Sequence, residues 1–546
     1  MKIALAQLNY HIGNFEANTN KIIDTLKNQQ AAGTDLVVFS ELCISGYPPR
    51  DFLEYPEFIQ LCQNAAQQIA KACTQIACII GLPIINEVVD GKDLYNAAYF
   101  IADGKVQQVI KKALLPTYDV FDEYRYFEPA HEFKCVNFKG HKIALTICED
   151  LWNLGDNPLY KTCPMDQLIK ESPDLMINIA ASPFSYNQTE ARLFILSQNC
   201  RKYNLPLFYV NHVGAQTELI FDGGSMVFDK AGDVIAELNY FEEQVQVFEV
   251  EQVQRSIVLN KLSERPGNIE QIYDALVLGI KDYFKKSGFT QATLGLSGGI
   301  DSAVVCALAC EALGAANVVG VLMPSKYSSD HSIKDAEDLA SNLGCKHTIV
   351  PIKGVADAFG QTMAHEFSGL PANLAEENIQ ARSRGVIMMA MSNKFGYILL
   401  NTSNKSEGAV GYGTLYGDMC GAISVIGDCY KTQVYQLAKY INREKEIIPL
   451  NTINKAPSAE LRPDQKDSDS LPDYDILDKI LFEYIELRKG PKQIISDGFD
   501  EALVNRILKM VNRAEFKRYQ TPPILRVSSK AFGMGRRMPI VGKYLV

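Results

Sequence analysis

One short segment of the sequence has the composition of a phosphate-binding loop. It reads Leu294-Gly295-Leu296-Ser297-Gly298-Gly299-Ile300-Asp301-Ser302 and lies between a predicted strand and a predicted helix. Backbone N–H groups and the helix dipole favour an anion at the start of a helix, and glycines let the backbone approach a phosphate. The segment lacks the lysine of a Walker loop and does not match the dinucleotide-binding fingerprint. It therefore predicts a phosphate site of another kind.

Three further residues follow predicted strands in the first half of the chain. Glu41 follows residues 37–40, Lys112 follows residues 109–111, and Cys148 follows residues 143–147. Sites of α/β proteins gather beyond strand ends, so the three side chains converge if their strands are neighbours in one sheet. An isolated thiol, with a pKa of roughly 8.5, is only about a few per cent thiolate at neutral pH, and a nearby cation or base makes it a nucleophile.

The elements that position both groups follow from the hydrophobic pattern. The first 250 residues alternate β-branched runs with polar helical stretches, and the predicted strands cover residues 2–7, 35–39, 76–82, 142–147, 175–179, 206–211, 224–228 and 245–250. Residues 251–266 show no clear period and end in Arg265-Pro266-Gly267, which predicts a linker between domains of residues 1–250 and 267–546.

The second domain begins with an apolar 3-and-4 spacing that predicts a helix over residues 269–283, with Gly288 as its stop. The pattern then predicts strands at 292–296, 317–323 and 347–352 that alternate with helices at 303–313 and 332–342. This alternation is typical of a doubly wound parallel sheet. Both domains are therefore expected to be of the α/β class.

Composition excludes several classes of protein. The chain has 546 residues, 47% of them hydrophobic and 22% charged, as in soluble globular proteins. Its net charge of −10 argues against a nucleic-acid partner, and we find neither a signal peptide nor a run of eighteen apolar residues for a membrane span. The thirteen cysteines show no zinc-type spacing. We therefore expect reduced thiols, a cytoplasmic location and small-molecule substrates.

The sequence around Glu41, Lys112 and Cys148 resembles that of the nitrilase superfamily, most clearly in the segment from Lys112 to Phe127. The resemblance implies an α-β-β-α sandwich whose Glu-Lys-Cys triad hydrolyses carbon–nitrogen bonds through a thioester. Cys148 would be the nucleophile, Glu41 the base, and Lys112 a cation that also stabilises the oxyanion. It further implies four contacts to a glutamine substrate: Tyr118, Glu149, Ser182 and Gln188. Where many members have Gly-Lys shortly after the Ser-Pro pair, this chain has Asn187-Gln188.

The glycine loop resembles, in its pattern S-G-G-x-D-S, the pyrophosphate loop of N-type ATP pyrophosphatases, which cleave ATP to AMP and pyrophosphate while they adenylate a substrate. Residues 377–382, 400–407, 427–432 and 515–520 resemble the NAD synthetase branch of that family. The resemblance implies ATP contacts by Gly295, Leu296, Ser297, Gly298, Gly299, Ile300, Asp301, Ser302 and Thr402. It also implies deamido-NAD⁺ contacts by Asn378, Arg382, Glu407 and Lys517. Asp301 and Glu407 would hold Mg²⁺, which prefers oxygen ligands.

Together the two resemblances imply an ATP-dependent amidation of deamido-NAD⁺ to NAD⁺, with ammonia supplied by L-glutamine or added directly. GMP and asparagine synthetases use other amidases, for which this chain lacks both a cysteine after Met1 and a Gly-x-Cys-x-Gly elbow. A nucleotide sensor without chemistry explains the glycine loop but gives the first domain no role. By resemblance we expect a homo-oligomer formed through the second domain. The charged residues 457–472 are expected to be mobile and to close over the adenylate.

Overall fold

The computed structural model describes residues 1–88, 90–154, 158–259, 265–458, 460–463 and 465–545. The chain divides into two compact units, Met1–Arg265 and Pro266–Val546. Of the predicted linker at 251–266, the first residues belong to a short helix, while residues 260–264 lie outside the described part. No described helix has the length and apolar character needed to cross a membrane.

The first unit is an α-β-β-α sandwich, as expected. Its two six-stranded sheets have the orders β14-β1-β2-β3-β4-β5 and β13-β12-β9-β8-β7-β6, and β10 and β11 form a separate hairpin. The strands are β1 Lys2–Gln7, β2 Leu36–Phe39, β3 Ala77–Ile85, β4 Leu94–Ala102, β5 Lys105–Lys111, β6 Val136–Phe138, β7 His141–Ile147, β8 Leu175–Ala180, β9 Leu207–Asn211, β10 Val213–Gln216, β11 Leu219–Asp222, β12 Met226–Phe228, β13 Val234–Glu237 and β14 Gln244–Glu249. The helices are α1 Phe15–Ala31, α2 Pro56–Ala72, α3 Pro164–Leu168, α4 Gln188–Tyr203 and α5 Val250–Gln254.

The sandwich follows from strands that are apolar on both faces. In β1, Ile3 and Leu5 join a core with Ile143 of the second sheet, while Ala4 and Ala6 face the core that α1 and α2 cover. Successive side chains of a strand point to opposite faces, so one continuous apolar run serves both layers. The eight predicted strands of this unit are confirmed, with ends that shift by a few residues.

The second unit contains a five-stranded parallel sheet of order β17-β16-β15-β18-β19, the doubly wound topology that was expected. Its strands are β15 Ala292–Gly295, β16 Val318–Leu322, β17 Lys346–Ile349, β18 Ile398–Asn401 and β19 Ile423–Ser424. Its helices are α6 Asn268–Ser287, α7 Ile300–Leu313, α8 Asp330–Leu343, α9 Lys353–Met363, α10 Leu374–Phe395, α11 Lys405–Val410, α12 Lys431–Ile441, α13 Leu450–Asn454, α14 Tyr474–Ile485, α15 Pro491–Ser496, α16 Glu501–Arg513 and α17 Glu515–Arg518.

The strand order reverses between β15 and β18, which are neighbours in the sheet. Ligands of such folds bind in the crevice beyond the carboxyl ends of the strands at this point. The glycine loop follows β15, and residues 402–407 follow β18. The topology therefore brings both segments to the same crevice.

Candidate active sites

In the first unit, Lys112 is fully buried between two carboxylates. Its Nζ lies 2.7 Å from Glu41 Oε1 and donates to both oxygens of Glu123, at 2.9 and 2.8 Å. Burial lowers the pKa of Lys112, but the charges of Glu123 and Glu41 outweigh it and hold that pKa well above its usual range. The lysine is therefore a fixed cation. Glu41 is also bound by the Asn96 amide, at 2.8 Å, and by the backbone N–H of Ala181, at 3.0 Å.

Cys148 begins a turn immediately after β7 and has a φ of +44°, a region that non-glycine residues seldom occupy. Such strain clusters at functional sites. Burial and the charge of Glu41 raise the pKa of the Cys148 thiol, although Lys112 opposes them. The resting residue is thus a protonated thiol, and it needs a base to become a nucleophile.

A carboxylate two residues further on fixes this geometry. Asp150 accepts backbone N–H groups from Ile147, at 3.0 Å, and from Ala113 and Leu114, at 3.0 and 2.9 Å. One buried side chain therefore connects the end of β7 to the segment that follows Lys112.

The strands that precede the triad are not neighbours in one sheet, so the condition stated for their convergence does not hold. β2 and β5 belong to the first sheet, where β3 and β4 separate them, and β7 belongs to the second. The charges of Glu41 and Lys112 nevertheless act on the Cys148 thiol. The convergence comes from two sheets stacked face to face, which place strand ends from both layers at one edge of the sandwich.

Of the predicted glutamine contacts, Tyr118 and Glu149 are bonded to each other. The Tyr118 hydroxyl donates to both oxygens of Glu149 at 3.0 Å, and the Tyr160 hydroxyl donates to Oε1 at 3.1 Å. Ser182 is buried beyond β8 and donates its backbone N–H to Asn211 at 2.9 Å. Gln188 is the first residue of α4 and is partly buried.

Sequence reasoning missed Glu123 and Tyr160. Glu123 lies inside the segment 112–127 that carries the nitrilase resemblance, but Asp119 and Asp122 stand beside it as equally plausible acids. Only burial against Lys112 separates it from them. Tyr160 follows a stretch with no recognisable pattern.

In the second unit, the glycine loop forms a polar turn at the N-terminus of α7. Gly298 has a φ of +75°, and a Cβ there would lie 2.2 Å from the carbonyl oxygen of Ser332, so the position requires glycine. The Ser297 and Ser302 hydroxyls lie 3.2 Å apart, and Ser297 Oγ accepts the N–H of Gly299 at 3.2 Å. These donors at a helix start suit a phosphate group.

Next to this loop, three carboxylates surround one lysine. Asp301 pairs with Lys431 and accepts the Asn404 amide at 2.9 Å, and Glu407 lies 3.6 Å from Lys431 Nζ. Burial and the charge of Asp301 raise the pKa of Glu407, and burial raises that of Asp467. Lys431 lies within the segment 427–432, but nothing in the sequence ties it to Asp301.

Three of the four predicted dinucleotide contacts converge on residues 411–415, whereas Glu407 lies beside Asp301 and Lys431. Asn378 accepts the Thr414 hydroxyl at 2.7 Å, and Arg382 donates to the carbonyl of Leu415 at 3.2 Å. Lys517 donates to the carbonyls of Gly411 and Gly413 at 2.8 and 2.7 Å. A cleft lined by Asn404, Glu407, Gly411 and Gly413 connects the acidic site with this loop. Thr402 follows β18 and is partly buried.

Comparison with known proteins matches each unit to a family. Residues 2–256 match the carbon-nitrogen hydrolase family, and residues 272–521 match the NAD synthase family. A hydrolase of this kind joined to a nucleotide-activating unit defines a carbon–nitrogen ligase that takes its nitrogen from an amide. More particularly, the chain belongs to the family of glutamine-dependent NAD⁺ synthetases. It makes NAD⁺ from deamido-NAD⁺ with glutamine.

Relatives match the chain over its whole length. The glutamine-dependent NAD⁺ synthetase of Synechocystis sp. is 45% identical and covers 98% of each chain, and that of Thermotoga maritima is 40% identical over 100% of this chain and 99% of its own. The structure of the Acinetobacter baumannii enzyme with ADP is 38% identical, with a TM-score of 0.78 over 99% of this chain and 98% of that one. The Cytophaga hutchinsonii structure, 20% identical, has a TM-score of 0.83 over 100% and 98%, and it supports the fold.

Proposed function

We propose that the two sites divide the reaction into release of ammonia in the first unit and its capture by an adenylated carboxylate in the second. The observation that carries this proposal is the buried Lys112 cation, held by Glu41 and Glu123 and acting on the Cys148 thiol. A cation, a carboxylate and a thiol in one buried place are what amide hydrolysis through a thioester requires.

In the first unit, Glu41 takes the proton of the Cys148 thiol as sulfur attacks the amide carbon of glutamine. Lys112 and the backbone N–H of Glu149 stabilise the oxyanion, and Glu41 returns the proton to the leaving ammonia. Water then attacks the thioester, with Glu41 as the base, and releases glutamate. Glu149, held by Tyr118 and Tyr160, accepts the α-ammonium group of the substrate. Ser182 and Gln188 complete the glutamine contacts in this proposal.

The acidic site of the second unit fits a magnesium ion. The three acids Asp301, Glu407 and Asp467 outnumber Lys431, and burial together with the charge of Asp301 raises the pKa of Glu407 although Lys431 opposes this. Two carboxylates with spare oxygens are hard ligands. We propose that Asp301 and Glu407 hold Mg²⁺, which supplies charge neutralisation to the ATP phosphates when bound.

The glycine loop then binds ATP through its N–H groups and the Ser297 and Ser302 hydroxyls, and Thr402 contacts the same nucleotide. Asn378, Arg382 and Lys517 orient deamido-NAD⁺. Its carboxylate oxygen bonds to the α-phosphorus, and the bond to pyrophosphate breaks. Ammonia attacks the resulting acyl carbon and AMP leaves with the electron pair of the broken C–O bond. Lys431 is placed to neutralise charge on the departing pyrophosphate.

We also propose that the enzyme is cytoplasmic and homo-oligomeric. All thirteen cysteines, each of which the structure describes, are unpaired thiols, as a reducing compartment favours. Leu374, Val386 and Phe395 of α10 are 68, 57 and 57% exposed, and a subunit interface would cover exposed apolar side chains such as these.

The assignment of ammonia release to the first unit and of NAD⁺ formation to the second is tested with two variants and two nitrogen sources. Cys148→Ala should lose glutamine-driven NAD⁺ formation by at least about a thousandfold and keep ammonium-driven formation, since only the nucleophile is gone. Asp301→Ala should lose both. Cys163→Ala is the matched cysteine control and should keep both. Glutamine-driven synthesis by Cys148→Ala would refute the nucleophile, and ammonium-driven synthesis by Asp301→Ala would refute the metal role.

A further inference from the structure

The second unit holds a cluster of three cysteines that the reaction does not use. Cys306 and Cys310 lie four residues apart on α7, so their side chains share one face of the helix. Cys345 follows Gly344, the left-handed residue that ends α8, and its N–H donates to the carbonyl of Ala340 at 3.1 Å. This reversal turns the Cys345 thiol towards α7. The spacing of the three cysteines along the chain matches no zinc motif, and only the fold brings their thiols together.

The sulfur positions suit a metal ion better than a disulfide. The Cys306 and Cys345 sulfurs are 3.9 Å apart, and all three sulfurs lie within 4.8 Å of one another. An ion about 2.3 Å from each of three thiolates in a plane holds the sulfurs about 4 Å apart. A disulfide needs sulfurs about 2.05 Å apart. The three thiols are therefore preorganised around a central point with little movement required.

The surroundings also favour metal binding. Cys310 and Cys345 are 9 and 7% exposed, whereas Cys306 is fully buried, so an ion has a route from one side.

We propose that Cys306, Cys310 and Cys345 form a site for a soft d¹⁰ cation bound by three thiolates, with Cu(I) as the best match. Within the described chain no other histidine, cysteine or carboxylate joins the cluster, and a structural zinc site needs a fourth ligand. Soft thiolate sets select Cu(I). Ser302 of the phosphate loop precedes Cys306 by one helical turn, so the ion would fasten the helix that carries this loop to the start of β17.

The test is an anaerobic titration of the reduced full-length enzyme with Cu(I), in competition with a chromophoric Cu(I) chelator. Wild type should hold about one ion per chain against the chelator, and X-ray absorption should show three sulfur neighbours. Bound ion should raise the melting temperature, because the preorganised site of the folded chain binds it more tightly than the thiols of the unfolded chain. Cys310→Ala and Cys345→Ala should each lose retention and the thermal shift.

Two cysteine variants outside the cluster serve as controls. Cys420→Ala changes a cysteine of the same unit. Cys78→Ala removes one thiol of another close pair, Cys73 and Cys78, whose sulfurs are 3.4 Å apart. Both variants should bind Cu(I) as wild type does. The fold of each variant is checked by circular dichroism and by its ammonium-driven activity, both measured without copper. If a cluster variant does not fold, Cys345→Ser is used in its place. The proposal would be overturned if wild type failed to retain Cu(I), or if the cluster variants retained it unchanged. It would also be overturned if X-ray absorption showed only two sulfur neighbours, or if the site bound Zn(II) more tightly with four ligands.

Discussion

Glu123→Gln tests whether the second carboxylate on Lys112 matters for ammonia release. The wild-type carboxylate makes two charge-assisted hydrogen bonds to Lys112, at 2.9 and 2.8 Å, in a fully buried place. Glutamine has nearly the same size but offers one neutral acceptor, so about one charge-assisted bond is lost. Such a bond contributes about 1.5–3 kcal/mol. Each ~1.4 kcal/mol changes a rate tenfold, which predicts a fall of about 10- to 150-fold in kcat/KM for glutamine.

The assay measures glutamate release and NAD⁺ formation with glutamine, and NAD⁺ formation with ammonium as the internal control. Only the glutamine-driven rates should fall. Tyr47→Phe removes the bond that the Tyr47 hydroxyl donates to Glu123, at 2.9 Å, but leaves both bonds from Lys112 in place, so it should lower the rate less than Glu123→Gln does. Glu132→Gln changes an exposed acid of the same region and should have no effect.

The effect of Glu123→Gln should also depend on pH with a definite sign. Burial raises the pKa of Glu123 although Lys112 opposes it. As the pH falls, the wild-type carboxyl gains a proton and comes to resemble the amide, so the ratio of wild-type to variant rates should shrink. A ratio that stays constant or grows towards acid pH would refute this reasoning, and so would a variant with wild-type glutaminase activity or an equal loss with ammonium.

Two further predictions concern the second unit. Because burial and Asp301 raise the pKa of Glu407, ammonium-driven synthesis at low Mg²⁺ should begin to fall at a higher pH than an ordinary carboxylate would give. Added Mg²⁺ should move that fall to lower pH, and a pH profile insensitive to Mg²⁺ would count against Glu407 as a ligand. Residues 457–472, in the part described, should exchange amide hydrogens more slowly with ATP and deamido-NAD⁺ together. In this segment, Glu460 accepts hydrogen bonds from the hydroxyls of Ser329 and Ser332 at the start of α8. Equal exchange with and without both substrates would show that the segment is not a lid.

The strands and helices were predictable wherever an apolar run is bounded by a strong stop. α6 is an example, since it ends at Gly288 in the left-handed conformation, and all predicted strands of the second unit are present. The sequence pattern predicts only the end of β5, residues 109–111, and not β4, because β5 has a mostly exposed, polar sequence from Lys105 to Lys111. Its place in the sheet comes from pairing with β4, which the local pattern does not encode.

The site residues, too, were predictable where a local pattern marks them and were missed where it does not. Glu41, Lys112 and Cys148 were found because each follows a strand within a familiar segment. Glu123 was missed because only its burial against Lys112 distinguishes it from the acids beside it, and Lys431 was missed because its partner Asp301 lies 130 residues away. Likewise Cys306 and Cys345 are 39 residues apart and meet only through the turn at Gly344. Long-range pairing of buried charges and thiols has no local signature.

The pairing of β1 has a consequence for how the first unit forms during synthesis. β1 lies between β2, which follows within 30 residues, and β14, which pairs with it from Lys2↔Glu249 to Gln7↔Gln244. As the chain leaves the ribosome, one edge of β1 therefore stays unpaired until about 240 further residues have been made, roughly 10–50 s at typical rates. An open edge of Ile, Ala and Leu residues invites pairing with other chains. Expression at low temperature, or with abundant chaperones, should accordingly raise the yield of folded protein more than it would for the second unit, whose central strand β15 meets its later neighbour β18 only about 100 residues further on.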